Sequence, residues 1–193
     1  ADLDPFNTGM ATGSATDNCD AALEVVVTYT DGPITDICAG SYSFTRTFTA
    51  TATFHCDNED SISCTQLITV NDVTAPDAPV IAGPANAEVF LDADCATDAS
   101  PAITGEASAT ADDNCDADPS IEITYADSDP VYTCLGDDTA EGSYTFVRTW
   151  SATATDDCDN EGATSTSEQL ITVTDNLAPT WDGSANDYDV ACD

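Results

Sequence analysis

A chain of 193 residues has room for one large domain or for two of about 100 residues, each burying a core of its own. Its 37 Asp and Glu face two Arg and no Lys, a formal net charge of -35. That balance excludes nucleic acid and anionic membranes as partners, since both require a basic surface. A hydrophobic content of 41% excludes a disordered acidic tail.

No apolar run approaches the roughly 18 residues of a membrane span, so membrane insertion is not expected. The chain begins at Ala1 without a signal peptide and reads as a mature or excised segment. Nine cysteines without a CxxC pair favour disulfides over zinc, and hence an oxidising, extracellular setting.

In chain order, the first extended element is "LEVVVTYT" at Leu23 to Thr30. Next, Tyr42, Phe44, Arg46, Phe48, Ala50 and Ala52 fall at every second position with Ser and Thr between them. This period of two gives one core face and one wet face. "QLITV" at Gln66 is a further short, β-branched run. The elements then recur: "GSYSFTRTFTATATFHCDNE" (Gly40 to Glu59) and "GSYTFVRTWSATATDDCDNE" (Gly142 to Glu161) agree at 14 of 20 positions. "DNCD" recurs at Asp17 and Asp113, and "QLITV" at Gln66 and Gln169. The main length difference is "LGDDTAEG" at Leu135 to Gly142, where the first copy has only Ala39 and Gly40, as for a surface loop. The spacing predicts an all-β chain of two tandem immunoglobulin-like β-sandwich domains. The first domain, 1–76, lacks its first strand; the second spans 77–179; residues 180–193 form an orphan strand.

The order "DNCD … TYTD … C … SYxFxRTxxATAT … CDNE … QLITV" followed by Ala-Pro resembles the tandem extracellular repeats of large adhesin-like surface proteins of Bacteroidetes and the related HYR modules. The resemblance covers nearly the whole chain. It implies an immunoglobulin-like module used as a spacer, stalk or adhesive repeat at a bacterial cell surface. The family's cysteine before "TQ" is kept as Cys64, but the second copy has Ser167. Positions shared by the copies suggest Cys95 with Cys115, Cys134 with Cys158 and, by analogy, Cys38 with Cys56, which leaves Cys64 free.

Acidic loops gather hard oxygen ligands at strand ends, which is what Ca²⁺ requires. The best candidates are Asp17, Asp20, Asp57, Glu59 and Asp72 in the first copy, and Asp113, Asp116, Asp159, Glu161 and Asp175 in the second. The linker around Asp72 also resembles the calcium-binding linkers of cadherins. The bland alternative is solvated surface acid, and no stretch has the EF-hand spacing.

Arg46 and Arg148 share a repeat position on the aromatic face and read as structural, each paired with a carboxylate and stacked on a ring, rather than as an anion or sugar site. His55 aligns with Asp157, no feature singles out a carboxylate pair, and no enzyme is expected. The outward Thr45, Thr47, Thr49, Thr51 and Thr53 read as β-propensity on a wet face rather than an ice-binding surface. Asp60-Ser61-Ile62 and Asp138-Thr139-Ala140 fit the short Asp-Ser/Thr-apolar pattern of Bacteroidetes O-glycosylation, with Ser61 and Thr139 as acceptors in predicted loops.

The tail, "WDGSANDYDVACD" from Trp181, reads as a strand whose domain is elsewhere. Cys192 corresponds to Cys95, and Tyr188 and Val190 to inward positions at Leu91 and Ala93. Joining the ends places five residues between Cys192 and Pro5, as between Cys95 and Pro101, so the chain reads as one period of a head-to-tail array. The tail is expected to complete the first domain of an identical neighbour, either as a strand donated between separate chains or by covalent continuation, which the gapless register favours, with Cys192 bonded to that neighbour's Cys19, as a calcium-stabilised filament or stalk. An adhesin repeat gripping a carbohydrate or surface partner is the alternative.

Overall fold

The computed structural model describes residues 2–19, 23–54, 58–133 and 142–178. The fold is all-β, with two one-turn helices among the described residues. Contacts divide the chain into two compact units. One takes Ala1–Pro79, Thr110–Glu122 and Thr153–Thr164; the other takes Val80–Ala109, Ile123–Ala152 and Ser165–Asp193. Two stretches of the second sequence copy thus belong to the first unit. Among the described residues, no helix is long and apolar enough to cross a membrane.

In the first unit, α1 (Pro5–Thr8) is followed by β1 (Glu24–Asp31), β2 (Thr35–Cys38), β3 (Ser41–Phe54) and β4 (Asn58–Val70). The helix starts where Pro5 pre-sets φ and Asp4 Oδ1 accepts the Phe6 N–H at 2.9 Å. Strand β3 is central. It pairs antiparallel with β1 and β2 along one edge and with β4 along the other. The period-two pattern works as expected: Phe44, Arg46 and Phe48 are buried while Thr45 is exposed.

In the second sequence copy, β5 (Val80–Ala82), β6 (Ala87–Phe90), α2 (Pro101–Thr104), β7 (Ser108–Thr110), β8 (Ser120–Asp127), β9 (Val131–Tyr132), β10 (Tyr144–Thr155) and β11 (Ser165–Thr174) follow in order. Strands β8 to β11 repeat β1 to β4, with β10 central. Two additions distinguish this copy. Strand β6 runs parallel to β11, from Ala87 beside Ile171 to Phe90 beside Thr174, and β5 pairs with β7. Val89 and Leu91 enter a core with Phe146, Ile171 and Val173. Leu91 is inward as expected. Ala93 is not: it is exposed, because the strand has ended at Phe90 and the chain turns through Asp92, whose Oδ1 accepts the Asp94 and Ala96 N–H groups at 2.9 Å.

Each copy is pinned by its arginine. Arg46, 2% exposed, donates through Nε and Nη2 to the two carboxylate oxygens of Asp31 at 2.6 and 2.9 Å, to Thr8 Oγ1 and to Leu3 O, and lies 4.6 Å from the Tyr29 ring centroid. Arg148 repeats this with Asp127 at 2.7 and 2.8 Å, Thr104 Oγ1, Ala99 O and Tyr125. The structural reading of both arginines holds, with tyrosine as the closest stacked ring. The guanidinium ties the one-turn helix to the sheet, and a planar five-donor fork is the only side chain able to serve all four partners.

Candidate cation centre and open strand edge

Asp72 follows β4, Asp113 precedes β8, and Asp156 follows β10. All three belong to the first unit, and their ligating atoms lie within 4.8 Å of one another. Local hydrogen bonds fix each loop. The Asp72 N–H donates to Ser41 Oγ at 2.6 Å, Asp113 Oδ2 accepts from the Cys115 and Asp116 N–H groups at 2.7 and 2.8 Å, and Asp156 Oδ1 accepts from the Cys158 and Asn160 N–H groups at 2.8 Å.

Two oxygens are left over: Asp72 Oδ2 and Asp113 Oδ1 are buried without a hydrogen-bond partner. Burial works to raise the Asp156 pKa, but hydrogen bonds from the Asn160 side chain and N–H and from the Cys158 N–H outweigh it and hold the carboxyl below its ordinary range. The adjacent Cys115 thiol is pushed up by desolvation and by Asp72, Asp113 and Asp156. Converging carboxylates, two of them with a buried oxygen that meets no donor, are the ligand chemistry of a hard cation, so these three residues could hold a metal ion.

Only part of the expected ligand set converges here. Asp72 and Asp113 come together, and Asp156 joins them. Sequence comparison passed over Asp156 because its repeat counterpart is Phe54, so symmetry between copies gave no signal. Asp116 is buried but spends its oxygens on the Asp118 and Asp157 N–H groups. Asp17 Oδ1 accepts from the Cys19 N–H at 2.7 Å. Glu59, Asp159 and Glu161 are exposed, as is Asp175, whose Oδ1 accepts the Leu177 N–H. Asp20 and Asp57 lie outside the described residues. Ser61 is exposed as an acceptor should be, but it sits within β4 opposite Thr51 rather than in a loop. Its exposure is shared by every residue from Glu59 to Thr65, on both faces of the strand. Thr139 lies outside the described residues.

The disulfide scheme is corrected. Cys38 is bonded to Cys158, 120 residues away, with Cα atoms 5.4 Å apart. This displaces the expected Cys38–Cys56 and Cys134–Cys158 pairs; Cys56 and Cys134 lie outside the described residues. Cys95 and Cys115 are both free and exposed rather than joined. Pairing within a copy failed because the end of β2 and the turn after β10 come together in the folded first unit, a proximity that repeat alignment does not encode. Cys64 is free as expected; Cys19 is free within the chain, and Cys192 lies outside the described residues. Gly40 makes the close approach to Cys115 possible. It has φ +75°, and a Cβ there would collide with the Cys115 Cβ and stand 2.6 Å from its Sγ.

The second candidate feature of the first unit is a groove of about 650 Å³ between the Ala11–Asp17 segment and the sheet, floored by Val25, Val27, Phe48, Ala50 and Ala52 and reaching Ile62 and Cys64 on β4. Repeat alignment gives it an internal standard. Ala152, Ala154, Gln169 and Val173 are 0% exposed, whereas their counterparts Ala50, Ala52, Gln66 and Val70 are only half-buried. The outer edge of β4 carries no neighbour among the described residues, where β11 has β6. The counterpart of β7, Thr12–Ser14, likewise has no strand partner among them. Trp181, Tyr188 and Val190, the residues expected to fill such an edge, lie outside the described residues.

No family model matches the sequence, and neither does any curated protein.

Proposed function

We propose that this chain is a structural repeat unit of an extracellular filament or stalk, built of immunoglobulin-like sandwiches. Its first copy is completed by a strand from another unit, and it is strengthened by Ca²⁺ at Asp72, Asp113 and Asp156. The half-open core of the first copy carries the reading: the same residues are sealed in the second copy, where β5 and β6 are present. An open edge beside an incomplete apolar core is costly in water and is the usual receptor for strand addition. Because donor and acceptor lie on different surfaces, the contact is heterologous and propagates rather than closing. A disulfide and extreme acidity suit an oxidising exterior, where charge keeps a long polymer soluble.

Assembly tests this directly. At increasing concentration with millimolar Ca²⁺, the chain is expected to form rods visible by electron microscopy, while the chain lacking residues 180–193 stays monomeric by ultracentrifugation. Rods from the truncated chain would remove the tail from the reading. Boiling native material in detergent and reductant distinguishes separate chains, which collapse to about 20 kDa, from one continuous polypeptide, which does not enter the gel.

Calcium makes its own prediction. Chelation is expected to remove RT ln(1 + [Ca]/Kd) of stability, with Kd in the range of about 10⁻⁴ to 10⁻³ M for extracellular modules, and so to lower the melting temperature well beyond an ionic-strength control. Asp156→Asn is expected to abolish most of the chelator effect and Asp159→Asn to leave it intact. An equal response in the two variants would strip the Asp72, Asp113 and Asp156 cluster of its role.

A further inference from the structure

The way the second copy seats its own strand specifies what the first copy's open edge must recognise. Three contacts place β6 on β11. Gly83 crosses Ser167 so closely that a Cβ on it would collide with Ser167 Oγ and stand 3.1 Å from its Cβ. Ala85 O accepts from Gln169 Nε2 at 2.9 Å, the same nitrogen that donates to Thr104 O at 2.7 Å. Asn86 Oδ1 accepts the Leu170 N–H at 3.0 Å, and its side chain thereby caps the strand edge just before the ladder begins at Ala87. A glycine, a carbonyl one residue before the asparagine, and the asparagine itself thus form a clasp that sets the register for Val89 and Leu91 to enter the core.

The first copy presents the receiving half of this clasp. Gln66 Nε2 donates to Thr8 O at 2.6 Å, the counterpart of the Thr104 bond, and among the described residues it has no carbonyl in the place of Ala85. Leu67, the counterpart of Leu170, is 70% exposed, and its pairing with Thr45 repeats the register of Leu170 with Val147. The Leu170 N–H that meets Asn86 therefore has its equivalent in Leu67 on the open edge of β4. Cys64 stands where Ser167 stands.

The sequence contains one other Gly-x-Ala-Asn. Gly83-Pro84-Ala85-Asn86 is matched by Gly183-Ser184-Ala185-Asn186, followed by the alternating apolar pair Tyr188 and Val190. Resting on the filament reading above, we propose that Gly183–Asn186 of a second copy of this chain is the clasp that docks on Cys64, Gln66 and Leu67. Gly183 passes over Cys64, the Ala185 carbonyl accepts from Gln66 Nε2, and Asn186 Oδ1 accepts from the Leu67 N–H. Tyr188 and Val190 follow two and four residues after this asparagine, against three and five for Val89 and Leu91 after Asn86, so the donated strand does not repeat the internal strand's core contacts residue for residue. This register, set by the clasp, replaces the one set by aligning Cys192 with Cys95. Glycine is required because any side chain there would meet the Cys64 sulfur, and asparagine because its amide oxygen gives the unpaired edge N–H an acceptor, as Asn86 does for Leu170.

The full-length chain tests this by position-specific cross-linking. In Gly183→Cys, the new thiol is expected to exchange with an added small-molecule disulfide and then with Cys64 of a neighbour. That forms one protein disulfide and releases two small thiols, and the product is a ladder in which mapping finds the peptide of Cys64 joined to the peptide that carries the substitution. The Cβ separation seen at Gly83 and Ser167 is close to the about 3.5 Å lower end for disulfides. Ser184→Cys is expected to give several-fold less. In the absence of oxidant, Asn186→Ala is expected to raise the concentration needed for half-assembly about tenfold, while Asn186→Asp gives no rescue because an added charge meets an acidic surface. Assembly that proceeds normally while Ser184→Cys cross-links to Cys64 as well as Gly183→Cys, or while Asn186→Ala is silent, would overturn the clasp and leave the filament standing. A wild-type chain that never assembles would remove both.

Discussion

Replacing Cys38 and Cys158 together by serine is expected to cost about 4 kcal/mol of stability, the largest effect of any change considered. The bond spans 120 residues, and cross-linking so distant a pair removes a large share of the unfolded chain's freedom; in the chain-entropy model the cost of losing it grows with the logarithm of loop length. Serine keeps the volume and removes the bond, so the loss reports the cross-link rather than a cavity. The double variant avoids the stray thiol that a single replacement would leave among the free cysteines. The measurement is the urea midpoint with and without reductant: wild type should fall to the variant's midpoint when reduced, and the variant should be indifferent. Peptide mapping under non-reducing conditions gives the connectivity independently. A Cys38–Cys56 peptide in place of Cys38–Cys158 would restore pairing within the copy and remove the predicted loss.

Asp127→Ala is expected to destabilise the fold by about 3 kcal/mol, because it leaves the buried Arg148 guanidinium without its counter-charge. Asp127 is itself about a third exposed, which places the effect at the lower end of the range for broken buried pairs. A guanidinium stays protonated even without its partner, so the cation cannot neutralise itself to escape. Arg148→Met combined with Asp127→Ala should recover part of the loss, since an apolar side chain does not need the carboxylate. A double variant no more stable than Asp127→Ala alone would show that packing, not charge, sets the effect. The equivalent pair in the first copy gives a pH signature. Hydrogen bonds from Arg46 hold Asp31 below its ordinary pKa. The folded state thus binds this proton less readily than the unfolded one. Its stabilisation is complete above the unfolded value near about 3.9 and drains as pH falls through the lower folded value. The thermal midpoint should be insensitive to this pair at neutral pH and fall on acidification below about 4.

The all-β class was legible because its signal is local. Alternation in Ser41 to Thr53 and its repeat in the second copy fixes which side chains face inward; β10 follows it from Phe146 to its end, and β3 follows it from Phe44 to Phe48. The arginines were legible for the same reason: a lone cation at an inward position must find a carboxylate, and the nearest strand supplies Asp31 and Asp127.

What the tertiary structure alone decided depends on residues distant in sequence and unlike in the two copies. Repeat symmetry paired cysteines within a copy, but the fold brings Cys38 to Cys158, because disulfide bonding follows the distance between side chains and alignment carries no distances. The same symmetry hid Asp156 behind Phe54, whereas the cluster with Asp72 and Asp113 exists only because three loops meet in one unit. Ser61 looked like a loop residue until β4 proved continuous through it. Sequence determined the period and the faces, which are properties of neighbours along the chain. The structure decided which loops converge, and with them the cross-link, the carboxylate cluster and the contacts that seat β6 on β11.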